Sequence, residues 1–246
     1  MRIFRDMTIP IRTSAGLFLL TALIAGCAGN PGMEAYRQGN YSNALKSFRN
    51  DTTPDGQFAM GVMHYKGEGV PRNPTEAARW FSQAAEQGHA GARYNLGLLY
   101  LKGEGVKKEL RTSFRWFSLA AEQGYVRACY QLGLMYSKGA GVAMDQRQAA
   151  RWFRSAAEQG FVKAQLRLAN MYIRGNGVAK NRSEAFRWLM KAADQGSGEA
   201  QLCIGVMYAR GIGVARDRSE AAVWLKKAAD QGYGRAERYL KELGRG

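Results

Sequence analysis

The chain has 246 residues, and its apolar content of 46% suits a packed core and excludes a polar, disordered polymer. Its 36 Lys and Arg against 20 Asp and Glu give a formal charge of +16, which favours acidic partners through long-range attraction and says nothing of fold. Three cysteines are too few for a disulfide framework.

Arg2, Arg5 and Arg12 precede an apolar run of 11 residues, Ala15 to Ala25. A helix that crosses a bilayer needs about 20. A charged start, a short apolar centre and small residues at its end describe a secretory signal peptide over residues 1–26. Its last residues with the next, Ile24-Ala25-Gly26-Cys27, resemble the bacterial lipobox. That resemblance implies cleavage before Cys27, acylation of its thiol and a mature chain beginning there; ordinary cleavage near Ala25 is the alternative. Acyl chains at about 0.8 kcal/mol per buried CH₂ would anchor the chain stably. In Gram-negative lipoproteins an Asp after the cysteine often marks retention in the inner membrane. Ala28 therefore implies, by the same resemblance, the outer membrane and its periplasmic side.

Residues 27–33 are expected to form a short linker after the lipidated cysteine. Residues 34–54, with Tyr36, Gly39, Tyr41, Ala44 and Phe48, then read as a degenerate helix pair, similar to a tetratricopeptide unit, that forms an N-terminal cap.

From there the chain repeats. Trp80, Trp116, Trp152, Trp188 and Trp224 are each 36 residues apart, and Gly67/Gly69, Gly103/Gly105, Gly139/Gly141, Gly175/Gly177 and Gly211/Gly213 keep the same register. A fixed period of this size means a stacked array of one supersecondary unit. Ala92, Leu96, Leu99 and Tyr100 fall on one face of a helix that Gly103 ends. After a loop of about seven residues, usual for paired helices, a second helix starts near Asn73, Glu109, Asp145, Asn181 and Asp217, mostly good N-caps. Its buried stripe is expected at Ser113, Trp116, Phe117, Ala120 and Ala121. Gly61, Gly97, Gly133, Ala169 and Gly205 would let the second helix approach the first, with the tryptophan filling the space beside them.

The pattern Ala-x-x-x-Leu-Gly-x-x-Tyr, Gly-x-Gly-Val, Ala-x-x-Trp-Phe-x-x-Ala-Ala-Glu-Gln-Gly resembles the Sel-1-like repeats, relatives of the tetratricopeptide repeats. Five units are read at 55–90, 91–126, 127–162, 163–198 and 199–234, with a capping helix over 235–246. The fold expected is all-α: a right-handed α-solenoid superhelix of helix-loop-helix repeats.

No motif for chemistry emerges. His64 and His89 stand alone, the Gly-x-Gly pairs follow helices rather than strands, and Cys129 and Cys203 lie two repeats apart, too far for an internal bridge. Whether these cysteines pair between chains stays open. Some secreted relatives with a cysteine pair in each repeat are linked to β-lactams, but this chain lacks those pairs. The column Glu86, Glu122, Glu158, Asp194 and Asp230 places one carboxylate in each unit and cannot form a close pair; helix-terminal hydrogen bonding between repeats is the expected role. No catalytic residue, metal site or cofactor is expected.

In tetratricopeptide arrays the first helices line the concave side. Carried over, that resemblance assigns partner binding to Tyr94, Tyr130, Leu166 and Leu202; to Leu98, Leu134, Asn170 and Val206; and to Lys102, Lys138, Arg174 and Arg210, headed by Lys66. The third column is basic in every repeat. The reading is a lipid-anchored, periplasm-facing scaffold that binds a protein partner, an acidic one by charge, with no enzymatic activity. The resemblance implies envelope assembly, secretion, signalling or polysaccharide export as contexts. An anionic glycan is the alternative partner and a peptidoglycan- or β-lactam-acting hydrolase the third reading. Nucleic acid would suit the charge but is rarely met by an exported lipoprotein.

Overall fold

The computed structural model describes residues 30–244, so the expected signal peptide and Cys27 lie outside the described residues. The described residues form thirteen α-helices and no strand. The chain divides between Met144 and Asp145 into two compact parts. The first holds Pro31–Arg37 (α1), Tyr41–Phe48 (α2), Pro54–Lys66 (α3), Pro74–Glu86 (α4), Ala90–Lys102 (α5), Leu110–Glu122 (α6) and Val126–Lys138 (α7). The second holds Gln146–Glu158 (α8), Val162–Arg174 (α9), Arg182–Asp194 (α10), Gly198–Arg210 (α11), Arg218–Asp230 (α12) and Gly234–Gly244 (α13). Within each part every helix packs on the next in the chain.

One difference from the sequence reading stands at the start. Residues 31–33, expected in a linker, already belong to α1. Asn30 caps that helix by accepting the amide of Gly32 at 2.9 Å, and Pro31, which has no amide to satisfy, takes the first turn.

Every full unit ends its first helix alike, and four of the five share the loop clasp that follows. The first helix ends at a glycine in the left-handed conformation, Gly103 at φ 79° for α5, whose amide reaches Leu99 O. The loop then folds back, and the Glu109 amide bonds Tyr100 O at 2.9 Å; Asn73, Asn181 and Asp217 make the same bond to His64, Tyr172 and Tyr208. This clasp fixes the loop length. Asn73, Asp145, Asn181 and Asp217 cap the second helices through their side chains, whereas Glu109 makes no side-chain cap bond.

The second glycine of each Gly-x-Gly does something else. A β-carbon on Gly105 would meet the Pro74 carbonyl at 2.3 Å, and one on Gly213 would meet the Arg182 carbonyl at 2.3 Å. Each loop therefore rests on the start of the second helix of the unit before it. The glycine is a stacking contact as well as a bend.

The core corrects the expected role of tryptophan. Phe81, Phe117, Phe153, Leu189 and Leu225, each one residue after a tryptophan, are at most 2% exposed. They press on the small residues of the first helix: a β-carbon on Gly61 would lie 2.5 Å from the Phe81 ring, and one on Gly205 2.6 Å from Leu225 Cγ. Trp80, Trp116 and Trp152 are half-buried, and Trp188 and Trp224 are buried at the edge of the core with Lys191 and Lys227 over their rings at 4.3 and 3.9 Å. One step along a helix is about 100°, so a ring one position from the seam turns partly outward.

Neighbouring units are tied by the glutamine that follows the acidic column. Gln87 Nε2 donates to Thr52 O at 3.1 Å and Gln57 Oε1 at 2.8 Å, Gln123 to Gly88 O at 2.9 Å, and Gln231 to Gly196 O at 3.1 Å and Gln201 Oε1 at 2.9 Å. A second column reaches back to the preceding second helix: Arg93 Nε to Ala85 O, Cys129 Sγ to Ala121 O at 3.9 Å, Gln165 to Ala157 O, and Gln201 to Ala193 O. The inter-repeat role expected of Glu86, Glu122, Glu158, Asp194 and Asp230 thus belongs to glutamine, and those five carboxylates are exposed. An amide can donate and accept in one junction, whereas a carboxylate facing helix-terminal carbonyls cannot donate. Cys129 and Cys203 are buried and neither is in a disulfide. Burial pushes the Cys203 thiol up to about 12.

Candidate functional site

The apolar columns assigned to binding are largely inside. Tyr94, Tyr130 and Leu166 are 6%, 7% and 4% exposed, Leu98 and Val206 4% and 3%; Leu134, Asn170 and Leu202 are half-buried. Tyr94 packs against Phe117 and Tyr125, with ring centroids 5.7 and 5.2 Å away. The expectation took these residues for an open floor because the first helices of tetratricopeptide arrays line the concave side. A stacked unit encloses its first helix on more than one side, so α5 is buried nearly all round and has no free apolar face.

The basic column is what reaches solvent. Lys138, Arg174 and Arg210 are exposed, and Lys66 and Lys102 half-buried. Each is the last residue of its helix, where cations oppose the negative end of the dipole favourably.

The column is not uniform, because the residue inside Gly-x-Gly changes along the chain. In the first two units it is Glu68 and Glu104. Lys66 Nζ lies 3.3 Å from Glu68 Oε1 and donates to Tyr36 OH at 3.1 Å, while Tyr36 donates to Glu68. Lys102 Nζ lies 3.5 Å from Glu104 Oε1, with the Arg72 guanidinium 4.0 Å from the other oxygen. Tyr65 donates its hydroxyl to Glu104 at 2.5 Å. Burial, with that carboxylate beside it, pushes the Tyr65 hydroxyl up to about 12, and the Tyr65 bond followed by Lys102 and Arg72 holds the Glu104 carboxyl low. In the next three units the same place holds Ala140, Asn176 and Ile212. Arg174 there donates to the neutral Asn170 Oδ1 at 3.0 Å, and Arg210 sits over the Tyr239 ring at 5.6 Å. These contacts orient the guanidinium groups without cancelling their charge.

Beside this column runs another that the sequence reading passed over: Arg72, Lys108, Lys180 and Arg216, interrupted by Met144. A β-carbon on Gly103 would lie 3.0 Å from Lys108 Cβ, and one on Gly175 3.4 Å from Lys180 Cβ, so the loop cation crosses the end of the first helix. The signal was present as a fourth basic position in the 36-residue register. It was masked by the break at Met144.

What such a surface can do is bind anions. Guanidinium groups match carboxylate and phosphate oxygens in pairs, and lysine supplies a mobile point charge. Among the described residues no three of His, Cys, Asp and Glu are grouped to hold a metal ion, and no helix is long and apolar enough to cross a membrane. His89 is structural: it caps α5 by accepting the Ala92 amide at Nδ1 (2.9 Å) and stacks on Phe58 at 4.3 Å, whereas His64 Nδ1 is buried without a hydrogen-bond partner among the described residues.

Known proteins bear on this geometry. The Sel1 repeat family model matches residues 54–89, 90–125, 126–161, 162–197 and 198–233. No curated protein matches the chain. The Sel1 repeat protein from Oxalobacter formigenes is 34% identical with a TM-score of 0.75 and shares 85% of this chain and 84% of its own. The protein c5321, a protective antigen of uropathogenic Escherichia coli with an SLR fold, is 36% identical with a TM-score of 0.81; the match covers 84% of this chain and 46% of that one.

Proposed function

Because the chain belongs to the Sel1 repeat family, an all-α repeat solenoid whose members serve as protein-interaction scaffolds, we propose that it holds a partner protein in the cell envelope, tethered by lipid on Cys27. The observation that carries the reading is the recurrence of one exposed or half-exposed cation at the end of every first helix, Lys66 to Arg210, on units that otherwise interlock through buried side chains. A repeating, solvent-facing group suits recognition of a long partner. The Ile-Ala-Gly-Cys sequence after a charged, apolar leader supports export and acylation, and Ala28 supports the periplasmic side of the outer membrane.

Two measurements test this. Mass spectrometry of the membrane-extracted protein should find an acylated Cys27 at the N-terminus, and Cys27→Ser should release the chain from the membrane fraction. Cross-linking in intact envelopes should then recover the same protein partner with the wild type. Membrane association unchanged in Cys27→Ser would remove the tether from the reading, and recovery of envelope glycan in place of protein would replace the partner.

A further inference from the structure

In residues 145–244 the loops and the starts of the second helices make one edge. Gly177 and Gly213 lie against the carbonyls of Gln146 and Arg182, where β-carbons would meet them at 2.0 and 2.3 Å. Each loop is thereby set on the helix start of the unit before it. Each of these two units contributes a triad of exposed cations, Arg174, Lys180, Arg182 and Arg210, Arg216, Arg218.

The edge has shed the features that neutralise its counterpart in residues 30–144. Asn176 and Ile212 stand where Glu68 and Glu104 bind Lys66 and Lys102. Arg182 and Arg218 are the first residues of α10 and α12, in place of Pro74 and Leu110. There the helix dipole is positive and a cation is disfavoured. Helix stability therefore gives no reason for arginine at either place. Asp217 is taken up by the amides of Ser219 and Glu220, and Glu184 by Arg187 at 2.8 Å. Arg218 also reaches Leu243 O, so that guanidinium is held in position.

We propose that this edge docks an acidic stretch of the partner protein, an extended segment with a carboxylate at every third position and apolar side chains between. The proposal rests on the scaffold reading and names the partner's chemistry. Successive units are set by helix packing of about 10 Å, which one turn of a polyproline II segment, three residues of about 3.1 Å each, spans while returning its side chains to the same face. An Asp or Glu at every third position would thus meet one triad per unit. Five of the six cations are arginine, suited to paired bonds with planar carboxylates. Between the triads Val178, Ile212 and Val214 are half-buried and offer apolar contact that sugar hydroxyls would not use.

The test uses the full chain and a fluorescein-labelled peptide of repeating Glu-Leu-Ser, about twelve residues long, with a Gln-for-Glu version and polygalacturonate as comparisons. Fluorescence anisotropy should show binding of the Glu peptide, loss of it with the Gln peptide, and weakening with salt. Lys180→Glu with Arg216→Glu should weaken it about tenfold or more, and Arg72→Glu with Lys108→Glu, at the same loop positions in the first part, about threefold or less. Matching thermal melts would show both variants folded. Equal losses in the two pairs, or no binding of the Glu peptide, would overturn the proposal, as would tighter binding of polygalacturonate than of the peptide. Envelope cross-linking separates it from the scaffold reading. A partner retained by the Lys180/Arg216 variant sinks the edge alone, whereas peptide binding without any protein partner of the wild type sinks the scaffold reading and leaves the edge.

Discussion

Gly97 lies under the ring of Phe117: a β-carbon on that glycine would come within 2.7 Å of Phe117 Cε1. The pair sets how close α5 and α6 approach. Gly97→Ala adds one methyl to a filled space, which costs about 1–3 kcal/mol, offset by at most about 1 kcal/mol of helix propensity. The variant should be less stable on denaturant unfolding. No change, or a gain, would show that the helices can separate without loss.

The same seam ranks two neighbours. Phe117→Ala should cost about 3–5 kcal/mol, because Phe117 is fully buried. Trp116→Ala should cost less, since Trp116 is half-buried. Urea titrations of both variants check the order, and a larger loss at Trp116 would reverse the packing argument.

Gln201 is 5% exposed, donates to Ala193 O at 3.2 Å and accepts from Gln231 at 2.9 Å. Removing it strands buried partners, at about 1–3 kcal/mol. Gln201→Ala and Gln231→Ala should each destabilise, and the double variant should lose less than the two single losses combined, because the shared bond is counted twice. Strict additivity would mean that the glutamines act separately.

Acid should weaken the fold through His89. Its Nδ1 accepts the Ala92 amide, Nε2 lies 3.3 Å from Asp55 Oδ1, and burial holds its pKa below the ordinary value despite Asp55. Above about pH 6.5 the imidazole is neutral in both folded and unfolded chains, and stability is complete. As pH falls below that value the unfolded chain takes up the proton first, so stability declines until the folded pKa is passed. His64, also lowered by burial, adds to the slope in the same direction. His89→Ser, which keeps a capping oxygen as at Ser197, should flatten the stability curve between about pH 7 and 5. An unchanged slope would assign the acid sensitivity elsewhere.

Tyr65 reports on the neutralised rungs of the ladder. Its hydroxyl, pushed up to about 12 by burial first and then by Glu104, should titrate lower in Glu104→Gln while staying above the ordinary value. Tyrosinate absorbance during alkaline titration measures this. An unmoved transition would mean that the bond between these residues does not persist in solution.

Much of this was legible in the sequence because the repeat supplies its own comparison. Loop length, N-caps and the cations closing each first helix followed from columns that agree. Phe117 and Trp116 were harder: both are large and apolar, and only the seam between the helices decides which ring faces it. Tyr94 misled for a related reason, since a helix pair alone would leave it outside. The junction chemistry hid in a pair of polar letters, Glu122-Gln123, where charge drew attention and the amide forms the bond.

The junctions are also interchangeable. Gln87 reaches Thr52 O and Gln123 reaches Gly88 O, each across 35 residues of chain, and Gly105 and Gly141 meet helix starts in the same manner. A gene that gained or lost one whole unit would present each surviving interface with the partner it already fits. One that gained half a unit would set first helices where second helices belong. The length of such a protein is thus free to change in evolution only by integers, and with it the number of cations offered to a partner.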